Sequence, residues 1–307
     1  MQKLFTLTGN LLAETTCLFD FPPQGKTVRA KSAIFQVGGK GVNVAKAFNL
    51  LSGKACAIIF PAGQIGRLCI DWLKKQNFCS IISAPIDGQT RQGLVCQDAS
   101  SGIQTTFLGV DVPVGKDALS RVLDKVGKRA RPGDYFAFCG SFAAFKESYA
   151  RTIADFSNKH GLKLCIDTYA LPLKAFVDTG AFLVKINRDE FDALKKSKRL
   201  LVPGASAIEN IVITNSSEPI FARFGRNCYK VVPPKVKQRS PTGCGDAFFA
   251  SLIFELSRRA EVAGALKISA ARASASAAIY STSVWDEQKA QKLYTKTKIE
   301  EIADISF

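Results

Sequence analysis

The chain has 307 residues, 47% of them hydrophobic, and its 42 Lys and Arg outnumber 26 Asp and Glu to give a formal net charge of +16. This length suffices for one large α/β domain or two small ones. The basic residues lie in short, scattered clusters without an aromatic-interleaved stripe or a zinc-finger pattern. We therefore expect solvated basic faces and no nucleic-acid partner.

The cysteines argue for a reducing compartment. They are nine in number, form no Cys-x-x-Cys pair and mostly sit in apolar runs, which disfavours a disulfide framework or a zinc site. The only histidine, His160, precedes Gly161 in a helix-end pattern, so a histidine base is not expected. We find no signal-peptide pattern and no apolar run long enough for a membrane span. These features predict a cytoplasmic protein with no membrane partner.

The first third of the chain predicts strands grouped in two hairpin-like pairs. A first strand is expected over residues 3–8, and the pairs over residues 11–37 and 90–108. Between the pairs, the pattern predicts a helix, a strand, a second helix and a second strand. Their bounds are a helix from the glycines at 38–41 to residue 51, a strand at 55–60, a helix at 66–76 and a strand at 79–84.

From residue 114 onward, helices and strands alternate, which predicts an α/β fold with a doubly wound, mostly parallel sheet flanked by helices. The expected helices are 115–130, 146–159, 171–178 and 188–198, and the expected strands are 135–139, 162–166, 182–186 and 211–214. An antiparallel pair at 220–224 and 227–232 is predicted at a sheet edge. The remainder is predicted to be helical, at 245–260, 261–280 and 286–297.

Polar residues end four successive strands of this predicted sheet. They are Gly140-Ser141, Asp167-Thr168, Lys185 to Glu190, and Thr214 to Ser217. Each alone is more often a helix cap or a turn. Because ligands bind beyond the carboxyl ends of such strands, the four together predict the rim of a site.

The turn at residues 242–246 carries the strongest chemical signal. Glycines flank Cys244, Asp246 follows, and an apolar helical run continues to about residue 260. Unpaired N–H groups at a helix start suit an anion. An aspartate beside them suits a base that takes a proton from a hydroxyl while the N–H groups hold the phosphoryl group under attack. The alternative is an ordinary glycine-rich turn with an acid in the first helical turn.

A second glycine-rich turn, at residues 38–41, also opens a helix. It matches neither the dinucleotide fingerprint nor the Walker loop. Its glycines would let a ligand lie against the backbone, and the amide of Asn43 can hydrogen-bond with sugar hydroxyls. A helix start with a buried Asn remains the alternative.

With these motifs in order and spacing, the chain resembles ribokinase-like sugar kinases, the PfkB family, over essentially its whole length. It is most similar to the family's sugar-phosphate branch of 6-phosphofructokinases, 1-phosphofructokinases and tagatose-6-phosphate kinases. A single domain over residues 1–307 is implied, with a β-sheet lid from about 11–37 and 90–109. The motifs that carry the resemblance are Gly38 to Ala45, Thr90-Arg91-Gln92, Lys185 to Glu190, and Thr242 to Asp246.

The resemblance implies roles for the catalytic and nucleotide-binding residues. Asp246 would activate the acceptor hydroxyl. ATP would be the phosphoryl donor, and Lys185 would lie close to its phosphate oxygens. The other implied roles are an anion hole from the amides of Gly243, Cys244 and Gly245, placement of Mg²⁺ and its waters by Asn187 and Glu190, and nucleotide binding by Thr214 and Ser216.

The resemblance also implies a site for a sugar that already carries a phosphate. Glu14, Gly39 and Asn43 would bind the sugar. The phosphate would be held by Lys26, Arg91 and Ser141. The residue at Lys26 can come from the other subunit in similar enzymes, and lids of this kind often pair, so a homodimer through the lid is expected.

The chain departs from the family pattern at several positions, including Glu14, Gly93, Pro241 and the nucleotide loop, and the altered loop keeps alternatives open. Glu14 stands where an aspartate is usual. The nucleotide loop, residues 214–219, lacks its usual glycines and contains Glu218. A catalytically weak sugar-phosphate sensor is therefore one alternative, and a kinase of a neutral sugar or nucleoside is another.

Overall fold

The structure is a computed structural model that describes residues 2–20, 25–141, 143–177, 179–196 and 208–305. The described residues form fourteen strands and nine helices. The strands are β1 (Lys3–Thr8), β2 (Leu12–Phe19), β3 (Ser32–Gly38), β4 (Lys54–Ile59), β5 (Ser80–Ser83), β6 (Arg91–Asp98), β7 (Gln104–Leu108), β8 (Tyr135–Cys139), β9 (Lys163–Asp167), β10 (Ala181–Asn187), β11 (Ile208–Asn215), β12 (Glu218–Phe224), β13 (Asn227–Val232) and β14 (Lys298–Ile302). The helices are α1 (Lys40–Leu50), α2 (Gly63–Gln76), α3 (Lys116–Gly127), α4 (Glu147–Lys159), α5 (Ala170–Val177), α6 (Arg188–Lys196), α7 (Cys244–Ser257), α8 (Val262–Ala277) and α9 (Glu287–Tyr294). The predicted helix ends at residues 178 and 198, and residues 21–24 within the first predicted hairpin, lie outside the described residues.

A ten-stranded sheet dominates the fold, in the order β14-β13-β12-β11-β10-β9-β8-β1-β4-β5. All strands from β11 to β5 pair in parallel. In the central strand β8, Phe136 and Phe138 pack into the cluster on one face, while Tyr135 and Ala137 pack into the cluster on the other. Side chains alternate between faces in a strand, so an unbroken apolar run fits a sheet covered on both sides. The predicted doubly wound, mostly parallel α/β sheet is confirmed.

The antiparallel edge differs from the prediction. The expected pair β12–β13 forms, but β13 is not the edge, because β14 pairs with it. The helix expected to reach residue 297 ends at Tyr294, and residues 298–302 form this additional strand. The sequence Lys-Ile-Glu-Glu-Ile places apolar residues three apart, which resembles a helix. Pairing with the otherwise open backbone of β13 decides the outcome, and the charged side chains suit an exposed edge.

A separate four-stranded sheet, in the order β3-β2-β6-β7, forms from the two segments predicted for the lid. Each predicted hairpin is antiparallel, and β2 and β6 join the two in parallel. One end of this small sheet packs on α2 through Ala13, Val37 and the ring of Phe35 against Trp72. At the other end, Gln104 Oε1 accepts hydrogen bonds from Ser240 and Thr242, each at 3.3 Å. The small sheet therefore adjoins the turn that precedes α7.

Other sequence predictions concern single residues. All nine cysteines are free. His160 caps the carboxyl end of α4, and Gly161 follows with a φ of 63°. Among the described helices, none combines the length and the apolar character needed to cross a membrane.

Candidate active site

The carboxyl ends of the central strands bring together the predicted polar rim. Gly140, after β8, donates its N–H to the carbonyl of Asp167, at the end of β9, at 2.7 Å. Thr168 in turn donates its hydroxyl to the carbonyl of Gly140. In the next pair of strands, Asn187 of β10 lies in register with Thr214 of β11. The strand ends thus form one continuous edge, as their positions in the sequence indicated.

Asp246 lies in the first turn of α7, at this edge, and its exposed fraction is only 6%. Gly243 caps the helix with a φ of 78°, and a Cβ atom there would lie 2.4 Å from Ser283 Oγ. Only glycine fits this left-handed, crowded position. Asn43 Nδ2 donates to Asp246 Oδ2 at 2.8 Å. The two glycine-rich motifs, distant in sequence, therefore meet side chain to side chain.

The start of α7 also provides electropositive surroundings for an anion. First-turn N–H groups of a helix have no carbonyl acceptor one turn earlier. The N–H of Cys244 lies 3.4 Å from the carbonyl of Pro241, a long contact. A Cβ at Gly245 would lie 2.9 Å from the Nζ of Lys185, so this ammonium group sits beside the helix start. Helix N–H groups and an adjacent cation are the arrangement that binds phosphate groups.

Two lysines clamp a buried aspartate next to Asp246. Asp167 is fully buried, and its carboxylate oxygens lie 2.8 Å from Lys40 Nζ and 3.3 Å from Lys185 Nζ. Burial acts to raise the pKa of Asp167, but Lys185 and Lys40 outweigh it and hold the pKa below its usual value. Burial acts to lower the pKa of Lys40, yet Asp167 and Asp246 raise it overall. Both groups are therefore charged at neutral pH.

Neither Lys40 nor Asp167 has an individual role predicted from the sequence. Lys40 stands inside the quoted glycine-rich motif, and Asp167 ends a predicted strand, so both positions carried a signal. What the sequence did not show is that Lys40 of α1 reaches across to β9. This contact joins residues 127 positions apart.

The pKa of Asp246 shifts in the opposite direction to that of Asp167. Its burial raises its pKa above the usual value, and the nearby charge of Asp167 adds to the rise, although Lys40 and the hydrogen bond from Asn43 oppose it. Burial also raises the pKa of the neighbouring Cys244 thiol to about 11, so that thiol stays neutral. A buried carboxylate with a raised pKa is a suitable general base.

Asn187 and Glu190, the predicted magnesium-placing pair, form a reciprocal cap at the start of α6. Glu190 Oε2 accepts the N–H of Asn187 at 2.7 Å, and Asn187 Oδ1 accepts the N–H of Glu190 at 2.8 Å. This is a capping-box geometry, so both side chains already have a structural role. Burial raises the pKa of Glu190, and the charges of Lys40 and Lys185 act on it from nearby. The pair is thus close to the clamp around Asp167.

The donor set fits a magnesium ion only in part. Within the described residues, no group of three or more His, Cys, Asp or Glu could hold a metal. Asp167 is already occupied by two lysines. Mg²⁺ commonly uses one or two carboxylates plus waters and substrate phosphates, and Glu190 fits that pattern as a contributor through water.

A cavity of about 100 Å³ adjoins this edge and contains Arg91 and Ser141, two of the predicted phosphate ligands. Arg91 Nη1 contacts Asp111 at 2.7 Å, so this guanidinium is already paired within the protein. Its Nε and the Oγ1 of Thr8 are buried, with no hydrogen-bond partner among the described residues. Buried polar atoms are almost always paired, so these two fit a ligand that supplies oxygens and hydroxyls. The cavity lining is completed by Asn10, Gly39, Lys40, Cys139, Gly140 and Tyr169.

The remaining predicted substrate ligands are Glu14 and Gly39, expected to bind the sugar, and Lys26, expected to bind its phosphate. Glu14 is buried in β2 and accepts a hydrogen bond from Gln36 Nε2. Gly39 has a φ of 114°, and a Cβ there would lie 2.5 Å from Thr8 Cγ2, so glycine is needed for packing against β1 as well. Lys26 is exposed, in the segment after residue 24. Lys26 is not among the residues that line the cavity.

The predicted nucleotide loop is a tight turn. Residues 216 and 217 connect β11 to β12, and Asn215 pairs with Glu218. Ser216 is exposed and has a φ of 50°, a left-handed conformation usually taken by glycine. Thr214 Oγ1 lies 3.3 Å from the carbonyl of Ile186. The nucleotide-binding roles of Thr214 and Ser216 stay predictions.

The fold and this edge are those expected of a phosphotransferase that acts on an alcohol group. The family model described as pfkB family carbohydrate kinase matches residues 12–288. The chain belongs to that family.

Relatives and solved structures agree with this assignment. The chain is 26% identical to the ATP-dependent 6-phosphofructokinase isozyme 2 of Escherichia coli, over 96% of this chain and 98% of that protein. It is 24% identical to a 1-phosphofructokinase of Borreliella burgdorferi, over 87% of this chain and 89% of that protein. The crystal structure of phosphofructokinase-2 from Escherichia coli in complex with potassium superposes with a TM-score of 0.88 at 22% identity, covering 96% of this chain and 99% of that chain. The ribokinase-like fold is thereby confirmed.

Proposed function

We propose that this protein is an ATP-dependent kinase of a phosphorylated ketohexose. The acceptor would be fructose 6-phosphate, fructose 1-phosphate or tagatose 6-phosphate, and the γ-phosphoryl group of ATP would be transferred to one of its hydroxyls. The observation that carries the proposal is the buried carboxylate of Asp246 at the start of α7, held by Asn43 at 2.8 Å. Relatives named 6-phosphofructokinase and 1-phosphofructokinase support the acceptor class.

The chain's own groups divide the work of phosphoryl transfer. The hydrogen bond from Asn43 engages Oδ2 of Asp246 and leaves Oδ1 to take the proton of the acceptor hydroxyl. The first-turn N–H groups at residues 243–245, with Lys185 beside them, stabilise the charge on the transferred phosphoryl group. Asn187 and Glu190 would help to hold Mg²⁺, which would neutralise the phosphate charge of ATP. No covalent intermediate is needed, so positioning and charge stabilisation suffice.

The cavity beside Arg91 would take the phosphate already present on the acceptor. Arg91 and Ser141 line it, and the unpaired Nε of Arg91 offers a donor to a phosphate oxygen. Asp111 competes for the same guanidinium, since it lies 2.7 Å from Nη1. Binding of the phosphosugar would then either displace Asp111 or use the remaining face of Arg91.

A homodimer through the small sheet completes the proposal. Large apolar side chains of this sheet are exposed, including Leu94 at 38% and Phe107 at 59%, which lie directly opposite each other on β6 and β7. Exposed apolar clusters of this kind mark interaction surfaces. Pairing of two such sheets would also give Lys26, which is exposed and does not line the cavity of its own chain, a route to the partner's cavity.

A sugar-phosphate sensor with weak catalysis is the second candidate. It is favoured by the tight two-residue turn at residues 216 and 217, which replaces a glycine-rich loop and places Glu218 next to it. A carboxylate there would repel nucleotide phosphates. The intact surroundings of Asp246 favour the kinase.

The test is Mg²⁺- and ATP-dependent release of ADP with a panel of acceptors. The panel is fructose 6-phosphate, fructose 1-phosphate, tagatose 6-phosphate, fructose, ribose and adenosine. We expect turnover on one phosphosugar and its loss in Asp246→Asn. Folded protein that binds a phosphosugar without turning over any acceptor would favour the sensor instead.

The proposed phosphate clamp has its own matched pair of variants. Arg91→Ala should raise the KM for the phosphosugar about tenfold or more, the effect of losing one charge-assisted hydrogen bond, while leaving slow turnover of the neutral sugar unchanged. Asp111→Asn keeps Arg91 and removes its competitor, so the KM should not rise. If Arg91→Ala impaired neutral and phosphorylated sugars equally, the clamp would be wrong.

A further inference from the structure

A second, larger cavity lies at the amino ends of strands of the large sheet, opposite the carboxyl ends that form the candidate active site. Its volume is about 550 Å³, and its lining includes Lys3, Lys54 and Ser80, at the amino ends of β1, β4 and β5. Thr8, at the other end of β1, lines the candidate active site. Five residue steps of about 3.3 Å separate Lys3 from Thr8, so the two cavities are about 17 Å apart along the strand. They are separate sites.

This cavity is strongly basic. Lys3, Lys54 and Arg129 line it, and no Asp or Glu does. None of the three forms an ion pair with a described residue. Lys3 Nζ donates to the carbonyl of Arg129 at 3.1 Å, which uses one of its three donors. The lining therefore presents three positively charged side chains and no negatively charged one.

One acid, Asp134, lies close to the cavity but outside its lining, and one lining group, the Cys56 thiol, is neutral. Asp134 is buried, and its two oxygens accept the backbone N–H groups of Lys3 at 2.8 Å and Arg131 at 2.9 Å. Cys56 lines the cavity, but burial raises the pKa of its thiol despite the neighbouring Arg129. The thiol is therefore neutral at physiological pH and adds no negative charge to the lining.

We propose that this cavity binds a small anion carrying two or more phosphate groups. Several cations on separate elements, with no acid among them, favour a multiply charged ligand over a simple monoanion. The volume falls within the usual range for small-molecule sites, about 300–1,000 Å³. Neutral polar side chains, those of Asn77 and Ser80, add hydrogen-bonding groups to the lining. A nucleoside triphosphate and a sugar bisphosphate share this chemistry.

Hydrogen–deuterium exchange tests the proposal, because it reports where a ligand binds. The probes are pyrophosphate, ATP and fructose 1,6-bisphosphate at millimolar concentration, each with the full-length wild-type chain. We expect at least one probe to protect peptides covering residues 49–56 and 77–80. Protection by pyrophosphate alone would show that phosphate chemistry suffices, whereas protection only by ATP or only by the bisphosphate would identify the source.

Matched charge-reversal variants decide whether the basic lining is responsible for the protection from exchange. The double variant Lys54→Glu with Arg129→Glu should raise the probe concentration needed for half-maximal protection about 100-fold or more, since two charged contacts are lost. The control, Lys116→Glu with Lys128→Glu, changes the net charge equally at exposed positions outside the cavity and should bind as the wild type does. The proposal is overturned if no probe protects these peptides, if protection survives the first double variant, or if the control loses it equally. ADP release by the first variant should stay unchanged, so this outcome is independent of the kinase proposal.

Discussion

Two buried aspartates at the same edge of the sheet respond oppositely to nearly equal burial. Asp167 ends β9 and is 0% exposed, whereas Asp246 begins α7 and is 6% exposed. Two lysines clamp the first and lower its pKa, while the second has the amide of Asn43 and a raised pKa. Burial alone raises the pKa of a carboxyl group. The number of direct cationic partners therefore separates a structural aspartate from a candidate base.

The two shifts have opposite consequences for stability. For Asp167, the lowered pKa stabilises the folded state above the unfolded pKa, and this contribution is lost as pH falls through the folded pKa. For Asp246, the raised pKa favours the folded state only at low pH, and this contribution is lost as pH rises through the folded value. At neutral pH, the ionised carboxylate of Asp246 lowers the free energy of unfolding, a loss that a catalytic role would explain.

The largest expected effect is on the activity of Asp246→Asn. Removal of a general base should lower kcat about 10³-fold on the phosphosugar. The free energy of unfolding at pH 8 should be unchanged or higher than in the wild type, because a buried negative charge is removed while the amide retains a polar contact to Asn43. Steady-state ADP release and urea unfolding measure the two quantities. A variant that loses both activity and stability would contradict a catalytic role for this residue.

Asp167→Asn should show the reverse pattern, with a large loss of stability. Breaking a buried ion pair leaves uncompensated charges, here those of Lys40 and Lys185, and costs about 3–5 kcal/mol. Urea unfolding at pH 8 measures it. Glu300→Gln is the control, since it breaks the exposed pair with Lys230 and should cost under about 1 kcal/mol. Equal losses in the two variants would show that the clamp around Asp167 does not stabilise the fold.

Much of the architecture could be predicted from the sequence, because its signals are local. Continuous apolar strands such as Tyr135–Cys139 identify a sheet covered on both faces, and their alternation with helices identifies parallel pairing. Strand β14 could not be predicted in this way. Its charged residues carry no apolar alternation, and its conformation depends on pairing with β13, a contact that exists only after folding.

The candidate site was predictable as a set of positions but not as a set of contacts. The motifs located Asp246 and Asn43 separately, and only the fold shows that the amide of Asn43 holds the carboxylate. Asn187 and Glu190 were assigned to magnesium, yet their reciprocal cap was also readable from a spacing of three residues at a helix start. The roles of the individual site residues remain predictions that the variants test.

The pH dependence of activity provides a third, smaller test of the contrast between Asp167 and Asp246. If Asp246 is the base, kcat/KM should fall on the acid side with an apparent pKa above the usual value for aspartate, because burial disfavours the ionised form. Lys40→Met should move this acid limb to higher pH, since the charge of Lys40 acts to lower the pKa of Asp246. A pH profile of kcat/KM for both proteins measures the shift. An acid limb that stays in place or moves to lower pH would rule out Asp246 as the titrating group.

The smallest effect should come from Asn43. Asn43→Ala removes the hydrogen bond to Asp246 Oδ2 and should lower kcat about tenfold, the equivalent of about 1.4 kcal/mol for one hydrogen bond. The acid limb should move upward by less than in Lys40→Met, because the charge of Lys40 acts more strongly on Asp246 than this bond does. Asn43→Asp is the sharper variant, since a second carboxylate disfavours ionisation and should move the limb upward beyond the alanine variant. If the two Asn43 variants gave the same pH profile, the amide would act on the sugar rather than on the charge of Asp246.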